Sequence, residues 1–264
     1  MDWGLANRLH RILKPATGRT VMLAVDHGYF LGPTTGLEDP RRTLAPLLPH
    51  ADSLMLTRGV LRTCVAPQAD LPIVLRVSGG TSIHTELSQE GLTTAVEDAI
   101  RLNAAALTLS VFVGAPGERE TLLNLGKLVD AGERHGIPVL AVTAVGREMT
   151  RDARYLGLAC RICAEIGAHF VKTYYCEGFG EVVASTPVPL IIAGGKKTPE
   201  REAIQLAWNA VKAGARGVDM GRNIFQSDAP VGMIRAVRAV VHEGASVEEA
   251  FALYEREKGA AVGR

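Results

Sequence analysis

The sequence predicts an α/β fold, a (β/α)8 TIM barrel with a short N-terminal helix. Short runs of apolar and β-branched residues recur about eight times along the 264 residues, as expected for buried parallel strands. Longer segments with helical periodicity separate most of these runs, so strands and helices alternate. A chain of this length is typical of one α/β barrel, and we therefore expect a single domain over residues 1–264.

The first element is an amphipathic helix that ends near Ile12. We expect residues 1–19 to cap one end of the barrel, residues 20–243 to form the barrel, and residues 244–264 to form a C-terminal helix and tail. Strands are predicted at Thr20–Asp26, Asp52–Thr57, Ile73–Ser78, Ala105–Val113, Ile137–Thr143, Ala168–Tyr174, Val188–Ala193 and Gly217–Gly221. The clearest helices are predicted at Gly117–His135, Thr150–Ile166 and Pro199–Ala213.

Local signals mark several helix ends. Ser246 and Glu249 have the spacing of a capping box, and Thr198 before Pro199 has the pattern of an N-cap followed by proline at the first helical position. Glycines that favour helix termination precede three of the predicted strands: Gly136, Gly167 and Gly214.

Composition excludes several classes of function. The formal net charge is +1 and charged residues are spread along the chain, so neither a nucleic-acid surface nor a membrane surface is indicated. No segment has the composition of a signal peptide or a membrane span. The four cysteines have neither disulfide-framework nor zinc-ligand spacing. We expect a cytoplasmic protein without a metal or a dinucleotide cofactor.

Lys172 is the most unusual residue, because it interrupts an apolar, β-branched and aromatic strand. Side chains alternate along a strand, so Lys172 shares one face with Phe170 and Tyr174. Burying an unpaired ammonium is costly, and a buried lysine commonly becomes a neutral amine that attacks carbonyl carbons. A Schiff-base lysine is one interpretation. The other is a strand-end lysine that reaches water or pairs with a carboxylate.

Other polar residues gather at the predicted carboxyl ends of strands, where barrel enzymes have their active sites. The first strand ends in Asp26 and His27, and the third ends in Ser78 and Gly79, which are candidates for substrate binding. Asp26 can pair with Lys172 or carry protons, but it can equally be a turn-forming residue. His27 is an acid–base candidate or an ordinary loop residue.

Two glycine-rich loops with a basic residue follow the last two strands. The seventh strand leads into Gly194, Gly195 and Lys196, and the eighth leads into Gly221 and Arg222. Loops at these positions bind phosphate in many barrels of this class. Each loop alone is also compatible with a glycine turn beside a solvated cation. Both together favour a phosphate-binding site.

Four motifs stand at the ends of strands: Asp26-His27-Gly28, Lys172-Thr173-Tyr174, Ala193-Gly194-Gly195-Lys196 and Gly221-Arg222-Asn223. Together they resemble the archaeal-type class I aldolase family, and the similarity extends from about Trp3 to Lys258. The resemblance implies that Lys172 forms the Schiff base and that Asp26, assisted by His27, transfers protons. It also implies that the two glycine-rich loops hold a phosphate.

The fifth strand distinguishes two branches of that family. Aldolases of the family resemble one another in having an acid–base tyrosine at its end, where this sequence has Ala144. Aldol cleavage must remove a proton from a substrate hydroxyl group, so loss of the tyrosine argues against it. The resemblance therefore implies a Schiff-base thiolase. Such an enzyme transfers an acetyl group from a phosphorylated hydroxydiketone of autoinducer-2 catabolism to coenzyme A, giving dihydroxyacetone phosphate and acetyl-CoA.

The resemblance also implies coenzyme A as a co-substrate, no bound cofactor, and assembly as a homo-oligomer, expected to be a decamer. Two alternatives remain open. One is a class I aldolase acting on fructose 1,6-bisphosphate or a related sugar phosphate. The other is a non-catalytic sugar-phosphate-binding protein on the same scaffold, because a fold alone does not establish activity.

Overall fold

A computed structural model, which describes residues 2–144 and 150–262, is a closed barrel of eight parallel strands surrounded by helices. We number the barrel strands β1 to β8 in chain order: Thr20–Ala24, Ser53–Thr57, Ile73–Arg76, Ala106–Val111, Val139–Thr143, Phe170–Thr173, Leu190–Ala193 and Gly217–Met220. Each strand pairs with the next, and β8 pairs with β1 to close the barrel. The predicted fold class is confirmed, and every strand end lies within two residues of its prediction.

Twelve α-helices lie in the described ranges. In chain order α1 to α12 are Trp3–Ile12, Gly28–Leu31, Pro40–Leu44, Arg58–Cys64, Val96–Arg101, Glu118–His135, Ala153–Ile166, Phe179–Ser185, Glu200–Lys212, Arg222–Phe225, Pro230–Arg238 and Val247–Val262. A 3-10 turn at Leu48–His50 and a π-helical turn at Ala239–Glu243 complete the helical segments. Among the residues that the structure describes, no helix is both long and apolar enough to cross a membrane.

The helix ends follow most of the sequence signals. Ser246 Oγ accepts from the Glu249 backbone N–H at 3.2 Å, and the Glu249 carboxylate accepts from the Ser246 N–H at 2.8 Å, which completes the predicted capping box. The start of α9 differs from its prediction. Pro199 is the N-cap and Glu200 the first helical residue, and the Thr198 N–H donates to Asn223 Oδ1.

Apolar side chains fill the amino-terminal part of the barrel. Met22 and Phe170 point inward and form a cluster with Leu9 and Ile12 of α1, so the N-terminal helix packs against this end. Side chains alternate along each strand, so the next inward position after Phe170 is Lys172. The polar side chains are therefore concentrated at the carboxyl end of the barrel.

Candidate active site

A cavity of about 620 Å³ opens at the carboxyl ends of the barrel strands. Five buried charged side chains line it: Asp26, which follows β1, Arg76 on β3, Glu90, Lys172 on β6 and Asp219 on β8. Catalytic sites of this fold occupy this end of the barrel. Within the described residues, no cluster of three or more His, Cys, Asp or Glu side chains is arranged to hold a metal ion.

Lys172 and Asp219 form an ion pair inside the barrel. Lys172 Nζ lies 2.7 Å from Asp219 Oδ2, with only 8% of Lys172 and 1% of Asp219 exposed. Neither carboxylate oxygen of Asp219 has any other hydrogen-bond partner within the described residues. Burial raises the pKa of Asp219 to about 6, although the positive charge of Lys172 opposes this shift. Asp219 can therefore exchange a proton near neutral pH.

Asp26 has a different partner. Nε and Nη2 of Arg76 each lie 2.9 Å from Asp26 Oδ2. Burial alone would raise the pKa of Asp26, but the charges of Arg76, His27 and Lys172 bring it below its ordinary value. Asp26 is thus held as a carboxylate. The interpretation that Asp26 pairs directly with Lys172 is corrected, because Arg76 binds Asp26 and Asp219 binds Lys172.

Arg76 is fixed by a buried polar network. Its Nη1 donates to Ser110 Oγ at 3.0 Å, and Ser78 Oγ donates to Glu90 Oε2 at 2.7 Å. The hydroxyl of Tyr29 donates to Glu90 Oε1 at 2.5 Å. These groups satisfy one another, so they hold the Arg76 guanidinium in a fixed orientation toward the cavity.

Ser78 and Gly79 lie behind the cavity wall. The Ser78 hydroxyl is occupied by Glu90, and Gly79 pairs with Gly91 in a short antiparallel ladder. Neither residue lines the cavity. Their predicted contact with substrate is therefore corrected to support of the buried network. Gly194, Gly195, Lys196, Gly221 and Arg222 do line the cavity, as do Asp26, His27 and Lys172.

His27 lies next to Asp26 on the cavity wall. Burial lowers the pKa of His27 to about 4, although the charge of Asp26 partly opposes this shift. The imidazole is therefore neutral near pH 7. Its ring meets Phe225 edge-on at 5.6 Å, and Nδ1 is buried without a partner among the described residues. A neutral imidazole has one donor and one acceptor nitrogen.

Asn223 ties the two glycine-rich loops together. Its Nδ2 donates to the Gly194 carbonyl at 2.6 Å, and its Oδ1 accepts from the Thr198 N–H at 2.9 Å. The side chain is fully buried, so its amide group fixes the spacing between the loop after β7 and the loop after β8.

The glycines of these loops have distinct roles. Gly195 has a φ of 72°, which favours glycine, and open space lies where a side chain would project. A ligand can therefore approach its backbone closely. At Gly221 a Cβ atom would lie 2.3 Å from the Ala24 carbonyl oxygen and 2.5 Å from His27 Cε1. Only glycine allows this close contact between the loop after β8 and the loop after β1.

Arg222 and Lys196 bring positive charge to the same side of the cavity. Arg222 Nε is buried without a hydrogen-bond partner in the described part of the chain, a donor that an anion would satisfy. Lys196 is exposed at the mouth of the cavity. Lys197, by contrast, makes an ion pair with Glu200 at 2.7 Å and does not line the cavity.

Several residues of this site were not predicted from the sequence. Asp219 could have been predicted from the sequence, because it is a charged residue within a short apolar strand, as Lys172 is. Arg151, whose guanidinium stacks over the Tyr174 ring at 3.7 Å, and Tyr29 lie outside strands. No periodic pattern marks such positions.

This chain is similar to known proteins in both sequence and structure. The profile of a family described as DeoC/LacD family aldolase matches residues 20–227. The chain is 57% identical over 259 residues to a Klebsiella pneumoniae protein named 3-hydroxy-5-phosphonooxypentane-2,4-dione thiolase, covering 98% of this chain and 88% of that protein. It is 55% identical to a protein of the same name from Escherichia coli K12, covering 98% and 89%.

Solved structures with similar folds include an archaeal fructose-1,6-bisphosphate aldolase. Its catalytic lysine is covalently bound to a carbinolamine intermediate of the substrate. The TM-score is 0.82 at 23% sequence identity, and the alignment covers 90% of this chain and 99% of that one. At this identity the similarity shows the shared barrel fold.

Proposed function

The chain belongs to the DeoC/LacD family of aldolases, and we propose that it is a thiolase of that family. The enzyme transfers an acetyl group from 3-hydroxy-5-phosphonooxypentane-2,4-dione to coenzyme A and forms dihydroxyacetone phosphate and acetyl-CoA. The observation that carries this proposal is the 57% identity, over 98% of the chain, to a protein named for that reaction.

We assign the Schiff base to Lys172. Its amine lies inside the barrel and lines the cavity, so a ketone that enters from the mouth can reach it. A structural neighbour carries its reaction intermediate on a catalytic lysine, and we propose the same kind of covalent bond here. A buried amine in a cavity that also offers acid–base groups supports this assignment.

The iminium on Lys172 accepts the electron pair of the substrate bond that breaks. Lys172 condenses with the C4 ketone, next to the phosphate-bearing carbon, and water is lost. The thiolate of coenzyme A adds to the C2 carbonyl, and the C2–C3 bond breaks. Its electron pair moves into the iminium to give an enamine, and acetyl-CoA leaves. Protonation at C3 and hydrolysis of the C=N bond release dihydroxyacetone phosphate and restore the lysine.

Proton transfer at the substrate is assigned to Asp26, assisted by His27. Arg76 keeps Asp26 ionised, so Asp26 is ready to accept a proton. Neutral His27, beside it, can hold the proton or pass it on. Both side chains line the cavity together with Lys172, which supports their action on one bound substrate.

The phosphate is assigned to Gly194, Gly195, Lys196, Gly221 and Arg222. These residues follow β7 and β8, and β7 is the immediate neighbour of the strand that carries Lys172. A phosphate held there would place the adjacent ketone beside the amine. Binding energy from the phosphate then serves to orient the reacting atoms.

Ala144 supports thiolysis over aldol cleavage. It lines the cavity just after β5, and its methyl group offers no proton acceptor at the position where the resembling aldolases have a tyrosine. Thiolysis does not require that group, because the attacking atom is the thiolate of coenzyme A.

We propose that residues 1–264 form one domain, with a capping segment at 1–19, a barrel at 20–243 and a helix and tail at 244–264. The enzyme works in the cytoplasm as a homo-oligomer, a decamer by resemblance, without a metal or a bound cofactor. Coenzyme A is a second substrate.

Reduction with borohydride in the presence of dihydroxyacetone phosphate tests the covalent step. The expected result is a stable adduct, located by peptide mass mapping on Lys172. An adduct on another lysine would reject the assignment of Lys172. Absence of any adduct, with the ligand bound, would favour a non-catalytic binding protein.

A further inference from the structure

The ion pair of Lys172 and Asp219 is buried inside the barrel, and function explains its position there better than stability does. Removing two charges from water is unfavourable, and a buried ion pair seldom stabilises a fold more than apolar side chains of similar size. The pair here also lacks supporting contacts, since Asp219 accepts from no other group within the described residues. Stability alone therefore gives little reason for an aspartate inside this barrel.

The register of the strands places Asp219 in the same inward-facing layer as Lys172. Lys172 is level with Ile191 on β7, whereas Asp219 is level with Ala193 on the same strand. Asp219 is thus offset by two residues on the second strand along, which is the offset that keeps side chains of alternate strands in one layer of the barrel. Both side chains line the cavity, so a ketone that reaches the amine from the mouth also meets the carboxylate.

Asp26 is bound by Arg76 and not by the lysine, which is bound by Asp219. Both Arg76 contacts converge on its Oδ2 atom, and they stabilise the ionised form. Asp219 has only Lys172 as a close partner. When two carboxyl groups share a site, the difference between their environments assigns their acid and base roles.

We propose that Asp219 is a catalytic acid–base residue, which carries protons between Lys172 and the substrate oxygen during formation and hydrolysis of the Schiff base. This inference rests on the proposed function. The inference adds Asp219 and the proton transfers of the Schiff base to the proposed mechanism, because Asp26 and His27 are assigned to proton transfer at the substrate atoms around the cleaved C2–C3 bond.

Every proton that moves during formation of the Schiff base has a donor and an acceptor. The Lys172 ammonium gives one proton to the Asp219 carboxylate, and the free amine forms a C–N bond with the ketone carbon while the carbonyl electron pair moves to oxygen. A second nitrogen proton then moves to that oxygen to give the neutral carbinolamine. Asp219 returns its proton to the hydroxyl group, the C–O bond breaks, and water leaves as the nitrogen lone pair forms the C=N bond. The aspartate is again a carboxylate beside a positive iminium, which it stabilises.

Three charged groups on other elements of the barrel face Asp219 and affect its pKa. Lys172 of β6 and Arg76 of β3 favour its ionised form, while the negative charge of Asp26, after β1, disfavours it. Asp219 must be ionised to accept the first proton. The rate of adduct formation is therefore expected to fall as the solution is acidified through about pH 6.

The test is a timed borohydride quench with dihydroxyacetone phosphate as the probe, at values between about pH 5 and pH 9. Asp219→Asn keeps the size of the side chain but cannot exchange protons. We expect it to form the Lys172 adduct at least about 100-fold more slowly than the wild type and to lose the acid limb of the rate profile. Asp98→Asn, a matched change on α5 outside the cavity, should form the adduct at the wild-type rate.

A second variant separates proton transfer from a structural role. Asp219→Ala leaves space for a small carboxylate, and formate should restore its rate in proportion to formate concentration. A rate and pH profile of Asp219→Asn equal to those of the wild type would overturn the inference. So would a slow Asp219→Asn variant combined with a folded Asp219→Ala variant that formate does not rescue. A wild type that forms no adduct would reject the proposed function itself, a result distinct from either of these.

Discussion

Lys172 Nζ contacts Asp219 at 2.7 Å, whereas the nearby Asp26 is bound by Arg76. These two carboxyl groups consequently have opposite electrostatic environments. Arg76 lowers the pKa of Asp26 despite its burial, and burial raises that of Asp219 to about 6. One group is kept as an anion, and the other can change its protonation state near neutral pH.

Replacement of Lys172 tests the covalent mechanism. Lys172→Met removes the amine, and we expect acetyl-CoA formation to fall by at least about 1,000-fold because no iminium can form. The matched control is Lys212→Met, an exposed lysine of α9 outside the cavity, which should keep the wild-type rate. Comparable activity in Lys172→Met would show that the reaction does not proceed through this residue.

Replacement of Arg76 tests how Asp26 is kept ionised. Arg76→Met leaves the Asp26 carboxylate buried without its cation, so the free energy of unfolding at pH 7 should fall by about 3 to 5 kcal/mol. Chemical denaturation measures this change. The double variant Arg76→Met/Asp26→Asn, which removes the unpaired charge, should recover part of the loss. A double variant less stable than Arg76→Met would contradict the explanation.

The ion pair of Arg76 and Asp26 also predicts how the free energy of unfolding changes with pH. In the wild type the pKa of Asp26 is lowered by folding, so its stabilising effect is present above its unfolded pKa of about 3.9 and is lost as the pH falls. Without Arg76, burial is expected to raise the pKa of Asp26 and make its ionisation unfavourable as the pH rises. The difference in unfolding free energy between wild type and Arg76→Met should therefore grow from about pH 4 to pH 7.

Two adjacent lysines provide an internal comparison for the phosphate site. Lys196 lines the mouth of the cavity, whereas Lys197 pairs with Glu200. Lys196→Met should raise the KM for the phosphorylated substrate by about threefold to tenfold, since an exposed charge contributes about 1 kcal/mol to an ionic contact. Lys197→Met should leave KM unchanged. Equal effects of the two changes would argue against a specific role for Lys196.

Gly221 is expected to be intolerant of any side chain. Gly221→Ala would place Cβ 2.3 Å from a backbone oxygen, so the free energy of unfolding should fall by at least about 2 kcal/mol. Gly180, on α8, has no atoms within 4 Å of the position of a new Cβ, and Gly180→Ala should be neutral or slightly stabilising. Thermal melting of both variants checks the comparison, which fails if the two behave alike.

The sequence predicted the barrel well because its strands are short, buried and nearly uniform in composition. Inward and outward positions alternate along each strand, so the placement of Phe170 and Lys172 on one face followed from local geometry. The two glycine-rich loops to which we assign the phosphate were located because their glycines and basic residues stand at fixed places after the last two strands.

The pairing of the charged side chains was not predictable in the same way. Arg76 and Asp26 are 50 positions apart, and their contact depends on how the closed barrel brings β1 and β3 together. Ser78 lies two residues beyond the end of β3, and its hydroxyl contacts Glu90, a contact that no local pattern specifies. Asp219 carried the same signal as Lys172, an isolated charge in an apolar strand, and that signal was overlooked.

The proposed thiolase reaction is tested by measuring the release of dihydroxyacetone phosphate from two substrates, each with and without coenzyme A. The substrates are 3-hydroxy-5-phosphonooxypentane-2,4-dione and fructose 1,6-bisphosphate. We expect release from the dione only when coenzyme A is present, with acetyl-CoA formed in equal amount, and no release from the bisphosphate. Release from the bisphosphate without coenzyme A would contradict the account and identify an aldolase that works without a tyrosine at Ala144.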